Sequence, residues 1–143
     1  NVTEPTVAIV LDQLSQIVHD FEQYLLQNHG LCDTSVIRHR TTLRKFLHQC
    51  CPVGVSSFSS LRGKDVSQFI VQHAHDQSPS SAKNMCWTLR AFSRYLLHQG
   101  HITYNLSSAV PNIRSWSLTS LPEHLSFDQI EKVLNSCDKN SIY

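Results

Sequence analysis

Apolar residues recur along this chain at spacings of three and four, and no stretch alternates with a period of two. The pattern predicts helices and no strands. From Leu11 the series Leu11, Leu14, Ile17, Val18, Phe21 and Leu25 makes one stripe, the mark of a helix with a single buried face. Gly30 offers it a left-handed stop. Residues 1–10 show no clear period and are expected as a loose arm. Asp33 or Thr34 can cap a second helix. Its apolar positions Val36, Leu43, Phe46, Leu47 and Cys50 gather on one side of a helical wheel, and Pro52 and Gly54 end it. A Ser-rich connector follows over residues 53–61, then a short third helix over residues 64–75 with Val66, Phe69 and Ile70 inward. Turn residues over 76–81 break the chain again. The fourth helix, over residues 80–99, places Ala82, Met85, Cys86, Leu89, Phe92, Ser93 and Leu96 on one face, and Gly100 closes it. Residues 102–120 have no period and read as an extended linker, which Leu121-Pro122 stops. Ser126 to Gln129 has the Ser-x-x-Gln form of a capping box, opening a short helix with Phe127, Ile130, Val133 and Leu134.

The expected architecture is all-α. A four-helix bundle occupies residues 11–104, a linker 105–122, and a short helix within 123–143 opens a further unit. The low Gly and Pro content, 4 and 5 in 143 residues, disfavours a turn-rich sandwich. The longest apolar run, Val7 to Leu11, is far short of the roughly 20 residues needed to cross a bilayer. No basic start precedes an apolar stretch, so neither a membrane partner nor a secretory signal is expected. The first residue is Asn, as expected of a processed or excised piece.

Net charge is only +1, but it is strongly segregated. Residues 1–33 hold five acids and no Lys or Arg, while residues 34–119 hold ten bases and two acids, a block at +8. Such a block inside a near-neutral protein points to a polyanion. The plain alternative is that helices need solvated charges in any case.

The five cysteines, Cys32, Cys50, Cys51, Cys86 and Cys137, are odd in number and form no C-x-x-C. They read as free, mostly buried thiols of a reducing compartment. The pairs His73/His75 and His98/His101 lack a partner pair at finger spacing, so no metal and no cofactor is expected.

The cations have a side. On a wheel started at Ala82, Arg90, Lys83, Arg94 and Trp87 fall at about 80°, 100°, 120° and 140°, whereas the apolar face centres near about 340°. The strip covers roughly 16 Å of helix, suited to a groove or a row of phosphates. On the second helix Arg38, Thr41, Arg44, Lys45 and His48 lie opposite Val36, Leu43 and Leu47. Arg40 sits about 40° from Val36 and is expected to pack its stem and lift its head to water. Arg62 and Lys64 open the third helix against the macrodipole, a hint of a backbone contact.

Four segments resemble the N-terminal core-binding (SAM-like) domain of tyrosine recombinases of the phage-integrase class. The segment Leu31 to Leu47 is similar to that family's "s-x-x-T-x-x-x-y-x-x-x-L-x-x-F-l" helix, and Ser80 to Leu97 to its "s-x-x-T-x-x-r-x-L-s-a-l-r-x-F-y-x-f-l" helix. Gly100 to Leu106 resembles "G-x-i-x-x-N-P", and Leu121 to Ile130 resembles "l-P-x-x-L-s-x-e-e-v", which opens the catalytic domain. Three positions depart from the pattern: Leu106 replaces a Pro, His39 an aromatic, and Ala82 a Thr.

The resemblance implies a domain that clamps double-stranded DNA and meets other protomers of the same recombinase on it. Arg38, Arg40, Arg44, Lys45, Lys83, Trp87, Arg90 and Arg94 are its implied contacts, joined by Arg62 and Lys64 from the charge pattern. The family's Arg and His cluster and Tyr nucleophile belong to a C-terminal domain. No catalytic residue is therefore expected here, and Tyr24, Tyr95, Tyr104 and Tyr143 lack the surrounding motif. The second function class is a protein-interaction module, in which Asp12, Asp20 and Glu22 of the first helix pair with a basic patch on a neighbouring copy. A stand-alone helix-turn-helix regulator ranks below both, because no short three- to four-residue turn joins the second and fourth helices.

Overall fold

The structure is a computed structural model and describes residues 4–113 and 126–136. It contains α1 (Glu4–His29), α2 (Asp33–Cys50), α3 (Gly63–Ala74), α4 (Pro79–His98) and α5 (Phe127–Ser136), with 3-10 turns at Gly54–Ser59 and Leu106–Ala109. No strand occurs among the described residues, as the periodicity predicts.

Helix α4 is the axis of the core. Ala82, Met85, Cys86, Thr88, Leu89, Ala91, Phe92, Ser93, Tyr95 and Leu96 are all buried, more than half of its circumference on a 3.6-residue wheel. Helices α1, α2 and α3 and the two 3-10 turns pack around it, and aromatic rings mark the seams. Phe92 meets Phe21 of α1 edge-on at 5.3 Å, Phe46 of α2 at 6.5 Å and Phe58 of the first 3-10 turn at 6.2 Å. Phe46 in turn meets Phe69 of α3 at 5.2 Å.

Local signals explain the element ends. Ser78 caps α4, its Oγ accepting from the Ser81 N–H at 3.3 Å, with Pro79 in the first turn. Asp65 Oδ2 accepts from the Arg62 N–H at 2.8 Å and places a carboxylate in the first turn of α3, where the macrodipole favours it. Gln129 accepts from the Ser126 N–H at 3.0 Å, the back-bond of the predicted capping box. The cap of α2 differs from expectation: it is Cys32, and Asp33 is the first helical residue. Gly30 and Gly100 adopt positive φ, 59° and 77°, just past α1 and α4, the left-handed stops that the sequence predicts.

Two boundaries are corrected. The expected arm is helical from Glu4 onward. Val7, Val10, Leu11 and Leu14 continue the stripe of α1, and Val10 packs beside Gly54, where an added Cβ would sit 3.1 Å from its Cγ1. The bundle also does not end at residue 104. Ile102, Leu106 and Val110 are buried, one every four residues, and hold the expected linker start against α3 and α4. Tyr104 donates its hydroxyl to the Leu61 carbonyl, and Ser67 Oγ lies 3.0 Å from the Ala109 carbonyl. The rest of the linker, 114–122, lies outside the described residues.

Gly63 shows how closely this segment docks: a Cβ there would stand 2.8 Å from the Ala109 Cβ. Gly63→Ala is expected to lift the 106–109 turn at a cost of about 1–3 kcal/mol. Faster hydrogen exchange of the Val110 amide, which bonds the Ser107 carbonyl, would register the lift. Unchanged exchange and unchanged melting would show that the contact carries no such constraint.

Candidate nucleic-acid interface

The ten candidate residues divide into three groups. The first lies where the outer flanks of α2 and α4 meet. Lys83 and Arg94 are exposed on α4, and Trp87 between them is half-buried. The Trp87 ring lies 4.7 Å from His39 of α2 and 5.6 Å from His29 at the end of α1. The α4 strip therefore borders α2 through Trp87. Arg38, the neighbour of His39, is exposed, and so is Lys45. Both fall on the α2 flank about 140–160° round from Arg40.

The second group is turned towards α1. Arg40 Nε lies 3.3 Å from Glu22 Oε1, a half-buried ion pair. Glu22 Oε1 is otherwise buried with no hydrogen-bond partner, so the guanidinium is its charge compensation. The stem-packing expected of Arg40 is consistent with this, but its head is spent on an acid. Arg44 is exposed and borders, with Leu11, Leu14, Ser15 and Val18 of α1, a shallow hollow.

The third group holds the C-terminal segment. Arg90 is half-buried, and its Nη2 donates to the Val110 carbonyl at 3.4 Å and the Pro111 carbonyl at 3.3 Å. The guanidinium of Arg62 lies over the Tyr104 ring, 5.9 Å from its centroid. Lys64 is exposed beside it at the start of α3. The wheel places Arg90 with Lys83 and Arg94, but it cannot foresee neighbours 20 residues along the chain. Arg90 latches the exit segment to α4.

Between the first group's two helices lies a polar contact that the sequence reading missed. His39 is buried, and its Nδ1 is 2.7 Å from Thr88 Oγ1. Burial first, and the charge of Arg38 second, push the His39 pKa below its ordinary value, so the ring is held neutral. The one signal in the sequence was the departure at His39, a polar residue on an apolar face.

Cys50, Cys51 and Cys86 are not reactive groups of this surface. Burial raises Cys51 to about 12 and Cys50 to about 11, and it also raises Cys86, so all three stay protonated at neutral pH. Cys32 is exposed, and the Ser35 hydroxyl lowers its pKa. Among the described residues no cluster of three or more His, Cys, Asp and Glu side chains is placed to hold a metal. No described helix is long and apolar enough to cross a membrane.

Comparison with known proteins defines the class. Residues 18–100, more than half of the chain, match the model of the phage integrase N-terminal SAM-like domain. The chain belongs to that family: it is a core-binding domain of the integrase and tyrosine recombinase class. It is 30% identical over 128 residues to a putative integrase/recombinase y4rA of Sinorhizobium fredii, covering 90% of this chain and 31% of that protein. It is 23% identical over 130 residues to tyrosine recombinase XerD of Listeria monocytogenes, covering 90% of this chain and 43% of that one. The chain thus spans well under half of the length of these bacterial relatives. No solved structure matches it.

Proposed function

We propose that this chain is the DNA-binding arm of a site-specific recombinase, and that it grips one face of duplex DNA while a catalytic domain, outside this chain, breaks and rejoins strands. The observation that carries the reading is the exposed cationic flank shared by α2 and α4: Arg38 and Lys45 on one helix, Lys83 and Arg94 on the other, joined across Trp87 and His39. Phosphate neutralisation supplies most of the affinity and positions the domain. The flank is the surface from which side chains reach base edges, with Arg suited to guanine O6 and N7.

Arg40 and Arg90 leave the contact set. Both are half-buried, Arg40 against the otherwise unsatisfied Glu22 Oε1 and Arg90 against the Val110 and Pro111 carbonyls, so each is assigned to holding the fold. Arg90→Ala is accordingly expected to change duplex affinity by less than about threefold, while Arg94→Ala loses one phosphate contact and lowers the salt slope by about 1. Fluorescence anisotropy on a labelled duplex measures both. A larger loss for Arg90→Ala than for Arg94→Ala would reverse the assignment.

The assembly reading keeps one observation in its favour. Val7, Val10, Leu11, Leu14 and Val53 line an apolar hollow of about 440 Å³ between α1 and the end of α2. The acidic patch expected of α1 is weaker than the sequence suggests, because Glu22 is taken by Arg40. Sedimentation with and without duplex separates the readings. A monomer that binds duplex supports the DNA arm; a dimer that ignores duplex supports assembly.

A further inference from the structure

The buried contact between α2 and α4 has a chemistry of its own. Thr88 Oγ1 lies 2.8 Å from the Asn84 carbonyl one turn back on α4. A carbonyl can only accept, so the single hydroxyl proton of Thr88 points to Asn84. The 2.7 Å contact with His39 must then run the other way: His39 Nδ1 carries the proton and donates to Thr88 Oγ1. Of the two hydrogen bonds in the chain His39 to Thr88 to Asn84, the first joins side chains of the two helices and the second lies within α4. The His39 ring also lies 4.7 Å from the Trp87 ring, and Arg38 is its neighbour in sequence.

We infer that His39 is a positioning residue of the DNA-facing flank: as its neutral Nδ1–H tautomer it pins α2 to Thr88 of α4 and so sets the spacing of Arg38 and Lys45 from Lys83 and Arg94. The inference rests on the DNA reading for its consequence and on the hydrogen-bond directions for its geometry. The groups around the pin explain the neutral state. On α2 the ring is flanked in sequence by Arg38, exposed, and Arg40, whose charge is matched by Glu22 of α1. From α1, His29 lies across the Trp87 ring. From α4 it meets Thr88 and Trp87, neither of which titrates near neutrality. An imidazolium would sit buried beside an unmatched guanidinium, which disfavours it. A neutral ring keeps a rigid donor, and a rigid donor preorganises the two cationic edges, cutting the cost of binding.

The pin also has a pH signature. A histidine whose folded pKa lies below its unfolded value binds fewer protons when folded, so stability falls as pH drops below about 6.5 towards the folded value. A variant without the imidazole loses that share of the pH dependence. Asparagine is the conservative replacement, because its amide N–H stands near the place of Nδ1. Glutamine is a longer amide that carries its donor about as far out as Nε2 and misses Thr88.

The test uses the 143-residue chain. Two-bond ¹H–¹⁵N spectra assign the tautomer of each imidazole, with the His39→Asn spectrum identifying the His39 signals. The expected result is an Nδ1–H ring for His39 with a pKa below that of the exposed histidines. Binding to a labelled duplex at pH 7.5 is expected to fall about tenfold for His39→Gln and for Thr88→Val, and to stay within about twofold for His39→Asn. The drop in melting temperature between pH 7.5 and 5.5 is expected to be smaller in His39→Asn than in the native chain. An Nε2–H tautomer, or equal duplex affinity of the Asn and Gln variants in a chain that binds duplex, overturns the inference. A native chain that shows the Nδ1–H ring and the pH signature but binds no duplex sinks the DNA reading instead and leaves His39 as a pin of the fold alone, which overturns the positioning role. Circular dichroism of each variant verifies that the helices remain.

Discussion

Replacing Arg38, Lys45 and Arg94 together with alanine is expected to weaken duplex binding by about 100-fold at roughly 0.15 M salt. The size follows from counterion release. Each neutralised phosphate contributes about 0.9 to the slope of log affinity against log salt, which at that concentration is about fivefold per contact relative to 1 M. Three such contacts multiply to about two orders of magnitude. All three side chains are exposed and none belongs to the apolar core, so helix content and melting should change little. Anisotropy titration and circular dichroism on the same samples check both halves. A loss under about fivefold with the fold intact would make the flank an ordinary solvated surface. The comparison variant is Arg90→Ala, since Arg90 shares the wheel position but holds the carbonyls of Val110 and Pro111.

Truncating Phe92 should have the largest effect on stability. The ring is 1% exposed and stands where α1, α2 and the first 3-10 turn converge, against Phe21, Phe46 and Phe58. Phe92→Ala removes those contacts and leaves a cavity at the axis of the bundle. The expected cost is about 3–5 kcal/mol, a large part of the roughly 5–15 kcal/mol that a domain of this size has in total. Phe92→Leu keeps most of the volume and should cost about 1–2 kcal/mol. Urea denaturation of the pair measures the difference. A cost near zero for Phe92→Ala would mean that the bundle does not close on this residue.

The helices were legible because their apolar stripes are regular and their stops are explicit. Leu89, Phe92 and Leu96 repeat at three and four, and Gly30 and Gly100 end α1 and α4 as the pattern demands. The start of α1 was harder to see. Val7 and Leu11 keep the spacing but remain 45% and 58% exposed, so the stripe is loose where it lines the hollow rather than the core. The segment after Gly100 carried a signal of another kind. Ile102, Leu106 and Val110 are spaced by four and all buried, yet the backbone between them is mostly irregular, and a helical period is not what such a docked strand of chain displays.

The candidate interface divides the same way. A wheel shows which side of a helix a cation occupies, and Arg38, Lys45, Lys83 and Arg94, placed on outward sides, are all exposed. It cannot show what stands opposite. Arg40 meets Glu22, 18 residues earlier, and Arg90 meets Pro111, 21 residues later. Both pairings arise from how helices pack, as does the hydrogen bond between His39 and Thr88, 49 residues apart. Charge segregation along the chain points to a polyanion; tertiary packing ties Arg40 and Arg90 to groups of the fold itself.

The most direct measurement is the salt dependence of duplex binding by the native chain and by the Arg38, Lys45 and Arg94 triple alanine variant. The native slope of log affinity against log salt is predicted at roughly −4 to −5, for about five phosphates engaged, and the variant slope should be shallower by about 3. A native slope near zero, or one that the three substitutions leave unchanged, would contradict the cationic flank as the DNA-binding surface.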